Sequence, residues 1–323
     1  MSVPSRPATA LVATHDFPAV LHIVKALDQA WLRQQERSNV LTLRLMAWIA
    51  LRLGRPVARL LLVPICSYFV LFSVKARRAS QAYLSRVLGR PARLDDVFRH
   101  YWAFASVALD RVFLLSGRTE LFDIRVYGED LLQRALETGR GGLLLGAHLG
   151  SFELPRAIGR THSLKVNLLM FEENARKMES LCKAIDPTLA NAVIALGRSD
   201  SMLRVHECLE RGEWLGMLGD RTLQGDAQME VPFFGSPVPF PTSIFRLAGM
   251  LHRPVYLMVG LYRGGNRYEL HFERLDDPVR GQRSERDEAA REWLGKYASR
   301  LEHYCREAPY NWFNFYDYWS SVN

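Results

Sequence analysis

The run Gly142-Leu143-Leu144-Leu145-Gly146-Ala147 is short, wholly apolar and bounded by glycines, the pattern of a buried strand. Five further segments read as strands: Lys165–Met170, Val193–Leu196, Trp214–Leu218, Pro254–Leu261 and Tyr268–Phe272. Helical patterns lie among and after them, at Ser201–Glu210 and in the charge-rich stretch Glu285–Glu307. Ahead of the first strand, Ala79–Leu88 and Asp95–Leu115 carry apolar residues at helical intervals, including Tyr83, Leu84, Val87, Leu88, Val97, Phe98, Tyr101, Phe104, Ala105, Ala108 and Leu109. Alternation of this kind predicts an α/β fold, a central mixed β-sheet flanked by helices. Aromatics such as Phe98, Tyr101, Trp102 and Phe104 fit a core stripe better than an acyl-chain tunnel.

His148 stands at the exit of the first of these strands. Ser151 then reads as the N-cap of a helix, Gly150 eases the turn, and Glu153 is expected to come back to one imidazole nitrogen. A carboxylate there fixes the tautomer and leaves the other nitrogen to take a proton, so the pair points to proton abstraction. The His-x4-Glu spacing is weak taken alone. Ser151 beside the His invites a serine-hydrolase reading, but no Gly-x-Ser-x-Gly elbow surrounds it.

More blocks follow in order. Gly212 to Asp220 is a short apolar strand ending in an acid, with Gly225 in the polar loop beyond; Val231-Pro232-Phe233-Phe234-Gly235 comes next, then Phe240-Pro241-Thr242-Ser243 before an apolar run. Together with the His block they resemble the lysophospholipid acyltransferase superfamily, and more closely its bacterial branch, the late (lauroyl/myristoyl) acyltransferases of lipid A biosynthesis. The similarity runs from Arg78 to Trp319.

The resemblance implies a glycerol-3-phosphate acyltransferase-like fold and transfer of a fatty acyl chain from an acyl carrier protein or CoA thioester to a lipid hydroxyl. In that reading His148 is the general base and Glu153 its orienting partner, with no covalent intermediate, because a thioester is already activated. Asp220 positions an acceptor or an active-site base, or else caps its own loop. Backbone amides at the helix start after Gly150 and Ser151 are candidate oxyanion donors. Thr242 and Ser243 with Arg246 hold an acceptor phosphate or the donor's phosphopantetheine, or form an ordinary helix cap with a solvated Arg. Arg176, Lys177 and Arg198 are the nearest counterparts of the branch's arginine-rich stretch. The C-terminal run Pro309 to Trp319 lacks the paired arginines common there and is aromatic instead, which points away from a standard lipid A acceptor. An unusual bacterial membrane lipid, such as an aryl-polyene-type conjugate, is the preferred alternative. Neither a metal nor a redox cofactor is expected, and the protein is expected to act as a monomer.

Composition fits this without deciding it. The 323 residues, 48% of them hydrophobic, suffice for one large domain, and a net charge of +8 suits an anionic membrane surface or an acidic carrier. With no zinc-finger spacing or arginine-rich repeat, a nucleic-acid partner rests on charge alone. Cys66, Cys182, Cys208 and Cys305 are scattered without a C-x-x-C pair, as core or surface thiols would be. Met1 to Phe17 carries no secretory signal pattern.

Leu60 to Val74 is an uninterrupted apolar run containing Pro64. It falls short of the roughly 18 to 20 residues of a spanning helix. Arg52, Arg55 and Arg59 precede it and Lys75, Arg77 and Arg78 close it, cations placed to meet anionic headgroups. The alternative is a hydrophobic hairpin packed on the domain. The expected division is a membrane-associating helical segment at 1–77 and a catalytic domain at 78–323. By resemblance, that segment holds the enzyme on the cytoplasmic face of the bacterial inner membrane. Two other functions share these features, an acyl thioester hydrolase and a catalytically silent lipid- or carrier-binding protein.

Overall fold

The computed structural model describes residues 40–155, 164–171, 175–176, 178–179, 192–221, 227–276 and 283–319. Met1–Phe17, Lys177, Cys182 and Gly225, all named above, lie outside the described residues.

The described residues begin with three helices. Helix α1 (Val40–Phe72) is broken at Gly54, whose φ of 80° and ψ of 164° only glycine adopts at little cost. Beyond the break, Ala58, Leu62, Cys66 and Val70 recur every fourth residue and are buried, the stripe of a helix lying on its neighbour. That neighbour is α3 (Leu94–Leu115), reached through α2 (Val74–Leu88). Polar contacts fasten the same interface. Arg55 forms a two-pronged ion pair with buried Asp110 at 2.7 and 2.8 Å and also lies over the Phe122 ring. Arg59 donates to the Gly265 carbonyl and the Tyr262 hydroxyl, both at 3.1 Å. Arg77 caps α1 through the carbonyls of Val70 (2.8 Å) and Leu71 (3.2 Å). Three of the arginines expected to serve lipid headgroups are therefore spent on the protein itself.

A seven-stranded sheet follows, in the order β1-β9-β8-β2-β5-β3-β4. Its strands are β1 (Asp123–Tyr127), β2 (Gly142–Gly146), β3 (Val166–Phe171), β4 (Val193–Leu196), β5 (Trp214–Leu218), β8 (Val255–Tyr262) and β9 (Arg267–Asp276). All neighbours run parallel except β8 and β9, so the sheet is mixed and mostly parallel. Strand β1 escapes sequence analysis because it is an edge strand of alternating exposed residues with no apolar run.

Between β5 and β8 stand a separate hairpin, β6 (Gln228–Phe233) with β7 (Ser236–Pro241), and the short helix α6 (Ser243–Leu251). Helices α4 (Glu129–Glu137) and α5 (Ser201–Glu210) connect strands. The last helix, α7 (Arg283–Glu307), is charged outside but buries Ala290, Trp293, Leu294, Tyr297, Leu301 and Tyr304 along one face, against α6, β6 and β9. Cys66, Cys208 and Cys305 are buried free thiols.

Candidate active site

Strands β2 and β5 are parallel neighbours with Gly146 opposite Leu218. His148 and Asp220 each lie two residues further on, so one register sets them side by side at the carboxyl ends of the sheet, where open α/β sheets place their sites. The Gly219 amide donates to the Gly146 carbonyl at 3.0 Å and extends the ladder to the pair.

Asp220 is fully buried, and both its oxygens are occupied. Oδ1 takes His148 Nδ1 at 2.8 Å, while the His148 backbone amide lies 3.1 and 3.0 Å from the two oxygens. Oδ2 accepts from Trp312 Nε1 (2.9 Å) and Asn314 Nδ2 (3.0 Å). With an acceptor on Nδ1, the neutral ring carries its proton there and Nε2 is left as the basic atom. The imidazole side chain is 27% exposed, so it remains open to a reactant. Burial and the Arg221 guanidinium lower the His148 pKa below its ordinary value, against the pull of Asp220. Burial alone would raise the Asp220 carboxyl, but His148, Arg221 and Trp312 outweigh it and hold the group below the usual carboxylate range.

The C-terminal run builds the far wall. The Phe313 amide donates to the His148 carbonyl at 2.7 Å, and Leu149 bridges Trp312 antiparallel, so the segment is laced to the His loop by its backbone. Arg221 donates to Asn314 Oδ1 (2.8 Å) and to the Phe313 carbonyl (3.2 Å). The Tyr318 hydroxyl donates to the Asp220 carbonyl at 2.9 Å. On the other side, His100 Nε2 donates to the Trp312 carbonyl and Ser80 Oγ to His100 Nδ1, both at 2.8 Å. Burial pushes the His100 pKa down to about 4, so this second imidazole is neutral and holds the wall in place.

Three sequence expectations are revised here. Spacing assigns Glu153 to the imidazole, yet Asp220 has that place. Glu153 is buried beside Arg111, Nε to Oε1 at 2.5 Å, and accepts from Ser151 Oγ at 3.3 Å. Ser151 is thus not a side-chain cap: residues 152–153 form a turn and the helix starts at Leu154. Of the amides about this turn, Gly150 N–H goes to the Asn311 carbonyl (2.8 Å) and Ser151 N–H to the Gly260 carbonyl (2.7 Å), so neither of these two receives an oxyanion. Gly150 has φ +63°, and a Cβ there would stand 1.9 Å from the Gly260 oxygen, so a side chain at this position would force the His loop off β8.

The remaining expected residues lie apart from this centre or face inward. Thr242 donates its hydroxyl to the Ala227 carbonyl at 2.9 Å, and both Thr242 and Ser243 are buried. Arg246 pairs with Asp287 of α7 at 3.1 Å rather than standing solvated. Arg176 is exposed and Arg198 pairs with Glu179 at 4.0 Å. The cations whose charge reaches the imidazole are Arg111 and Arg221. Among the described residues, no group of three His, Cys, Asp or Glu side chains converges to hold a metal.

A tautomer-fixed imidazole at the carboxyl ends of a mostly parallel sheet is an arrangement chemically able to take a proton, as α/β enzymes with a basic histidine do. The chain is a member of the bacterial lipid A biosynthesis acyltransferase family, whose model matches residues 33–321. It is therefore an acyltransferase of lipid biosynthesis, acting on an acyl donor and a lipid acceptor. No individual curated protein matches it.

Proposed function

We propose that this protein is a membrane-associated O-acyltransferase in which His148 is the general base and Asp220 orients it. The observation that carries the reading is the 2.8 Å contact of His148 Nδ1 with a fully buried carboxylate. His148 Nε2 takes the acceptor hydroxyl's proton as the oxygen attacks the thioester carbonyl. The tetrahedral intermediate collapses with cleavage of the carbon–sulfur bond, and the imidazolium returns its proton to the departing sulfur. The donor is an acyl carrier protein or CoA thioester. The acceptor is a bacterial membrane lipid other than standard lipid A precursor, an aryl-polyene-type conjugate being the preferred case, in keeping with an aromatic C-terminal wall where the branch carries arginines.

Membrane association is supported by α1. Gly54–Phe72 is long and apolar enough to cross a bilayer, and its outer face leaves Leu60, Leu71 and Phe72 more than half exposed. That face points away from α3, so the protein can bring its site to a lipid surface at the cytoplasmic side of the inner membrane.

Lipid mass spectrometry of a host with and without the gene tests the proposal. One lipid species should gain the mass of a single acyl chain, and a His148→Ala allele should lose that gain while the protein still fractionates with membranes. An unchanged lipid profile between the two hosts would remove the acyltransferase reading. The pH profile gives an independent check. A base whose pKa lies below 6.5 is already neutral at pH 7, so kcat/KM should rise with pH along a limb below 6.5 and be flat above it. A limb centred above pH 7 would contradict the assignment.

A further inference from the structure

We infer that Arg111 is a catalytic residue of the acyl transfer, its guanidinium receiving the oxyanion of the tetrahedral intermediate, and that Glu153 is a positioning residue acting through it. The inference rests on the reaction proposed above and gives its charge stabilisation an owner.

An oxyanion needs a donor or a cation fixed beforehand. Two amides of the His loop cannot serve, since Gly150 and Ser151 give theirs to the Asn311 and Gly260 carbonyls. Arg221 is engaged by Asn314 and the Phe313 carbonyl. Arg111 differs. Its Nε lies 2.5 Å from Glu153 Oε1, and among the described residues no hydrogen bond engages its Nη1 or Nη2. The carboxylate is sealed at 3% side-chain exposure whereas the guanidinium is 35% exposed, so the pair turns its cationic edge outward. The turn of α3 that carries Arg111 is fixed by the adjacent Asp110, clamped by Arg55 and by the Tyr268 hydroxyl at 2.8 Å.

Electrostatics agree with the placement. Arg111 lies near enough to His148 to disfavour its protonated form. A cation beside a base opposes proton uptake in the resting site. It becomes favourable when negative charge develops on the carbonyl oxygen as the imidazole takes its proton. Glu153 holds the guanidinium at its Nε by opposite charge, keeps it in place between turnovers, and leaves Nη1 and Nη2 for the oxygen.

The test uses full-length protein in detergent micelles, dodecanoyl-CoA and dodecanoyl-acyl carrier protein as donors, and a total lipid extract of the host as acceptor. Arg111→Gln should lower kcat by roughly 100- to 1,000-fold at saturating donor and lipid, with both KM values within a few-fold of wild type. Glu153→Gln should reproduce much of that loss, and the double variant should be no slower than Arg111→Gln alone. Added guanidinium should partly restore Arg111→Gly. Arg111→Lys, which keeps a cation for Glu153 but lacks the fork, separates lost chemistry from lost folding when melting curves are compared.

A kcat within a few-fold of wild type for Arg111→Gln overturns the inference. So do losses that multiply in the double variant. An effect confined to the lipid KM also overturns it, assigning the guanidinium to an anionic group of the acceptor. If His148→Ala is inactive while Arg111→Gln is active, only the Arg111 assignment falls; if both are active, the proposed reaction itself fails.

Discussion

Asp220→Asn should lower the turnover number by about ten-thousand-fold, close to the effect of His148→Ala, although it changes one atom of a buried side chain. The structure dictates which way the new amide turns. Trp312 Nε1 and Asn314 Nδ2 both donate to Oδ2, so they keep an oxygen on their side and drive the NH2 towards His148 Nδ1. Two donors cannot face each other across 2.8 Å, and the ring answers by moving its proton to Nε2. The atom that should accept the hydroxyl's proton is then already protonated. Donor and lipid KM should change little, because Asp220 is buried and acts only through the imidazole. The double variant with His148→Ala should be no slower than either single one. Steady-state kinetics of dodecanoyl transfer measure all three; an Asp220→Asn enzyme within ten-fold of wild type would remove Asp220 from the mechanism.

The strands that build this centre were legible because they are buried on both faces. Val193–Leu196 and Trp214–Leu218 were bounded to the residue, and β2 and β3 to within one residue at each end, since a continuous apolar run between polar breaks has one interpretation in a parallel sheet. Edge strand β1 and the proline-bearing hairpin β6–β7 lack that signature. At the site, His148 and Asp220 are both conspicuous in the sequence, each two residues past a strand. Their partnership was not, because local spacing favours Glu153 and only the register of β2 against β5 reveals the alternative. The sequence carries that signal in the equal distance of His148 and Asp220 from the ends of their strands. Arg111, Trp312 and Asn314 were beyond reach for a different reason: their partners are remote along the chain, and an Arg on a helix or an Asn in an aromatic run carries no local mark of a buried carboxylate opposite.

The arginines before the apolar run show how the same composition supports two opposite physical readings, and Arg55 decides between them with a large effect. Arg55→Met should destabilise the fold by roughly 3–5 kcal/mol, because it abandons the Asp110 carboxylate in the interior with, among the described residues, only the Tyr268 hydroxyl to face it. Asp110→Ala leaves a guanidinium whose side chain is 14% exposed, which can partly turn to water, so its cost should be smaller. Replacing both, Arg55→Met with Asp110→Leu, should recover much of the loss, since two apolar side chains need no partner. Chemical denaturation in a fixed detergent, read by tryptophan fluorescence, measures the series. If Arg55 instead served anionic headgroups, Arg55→Met would leave the denaturation midpoint unchanged and weaken binding to vesicles containing anionic lipid, and the ordering of the three variants would collapse. The same pair clamps the turn of α3 that presents Arg111, so an Arg55→Met protein that remains folded should also lose turnover, coupling the seat of α1 to the chemistry.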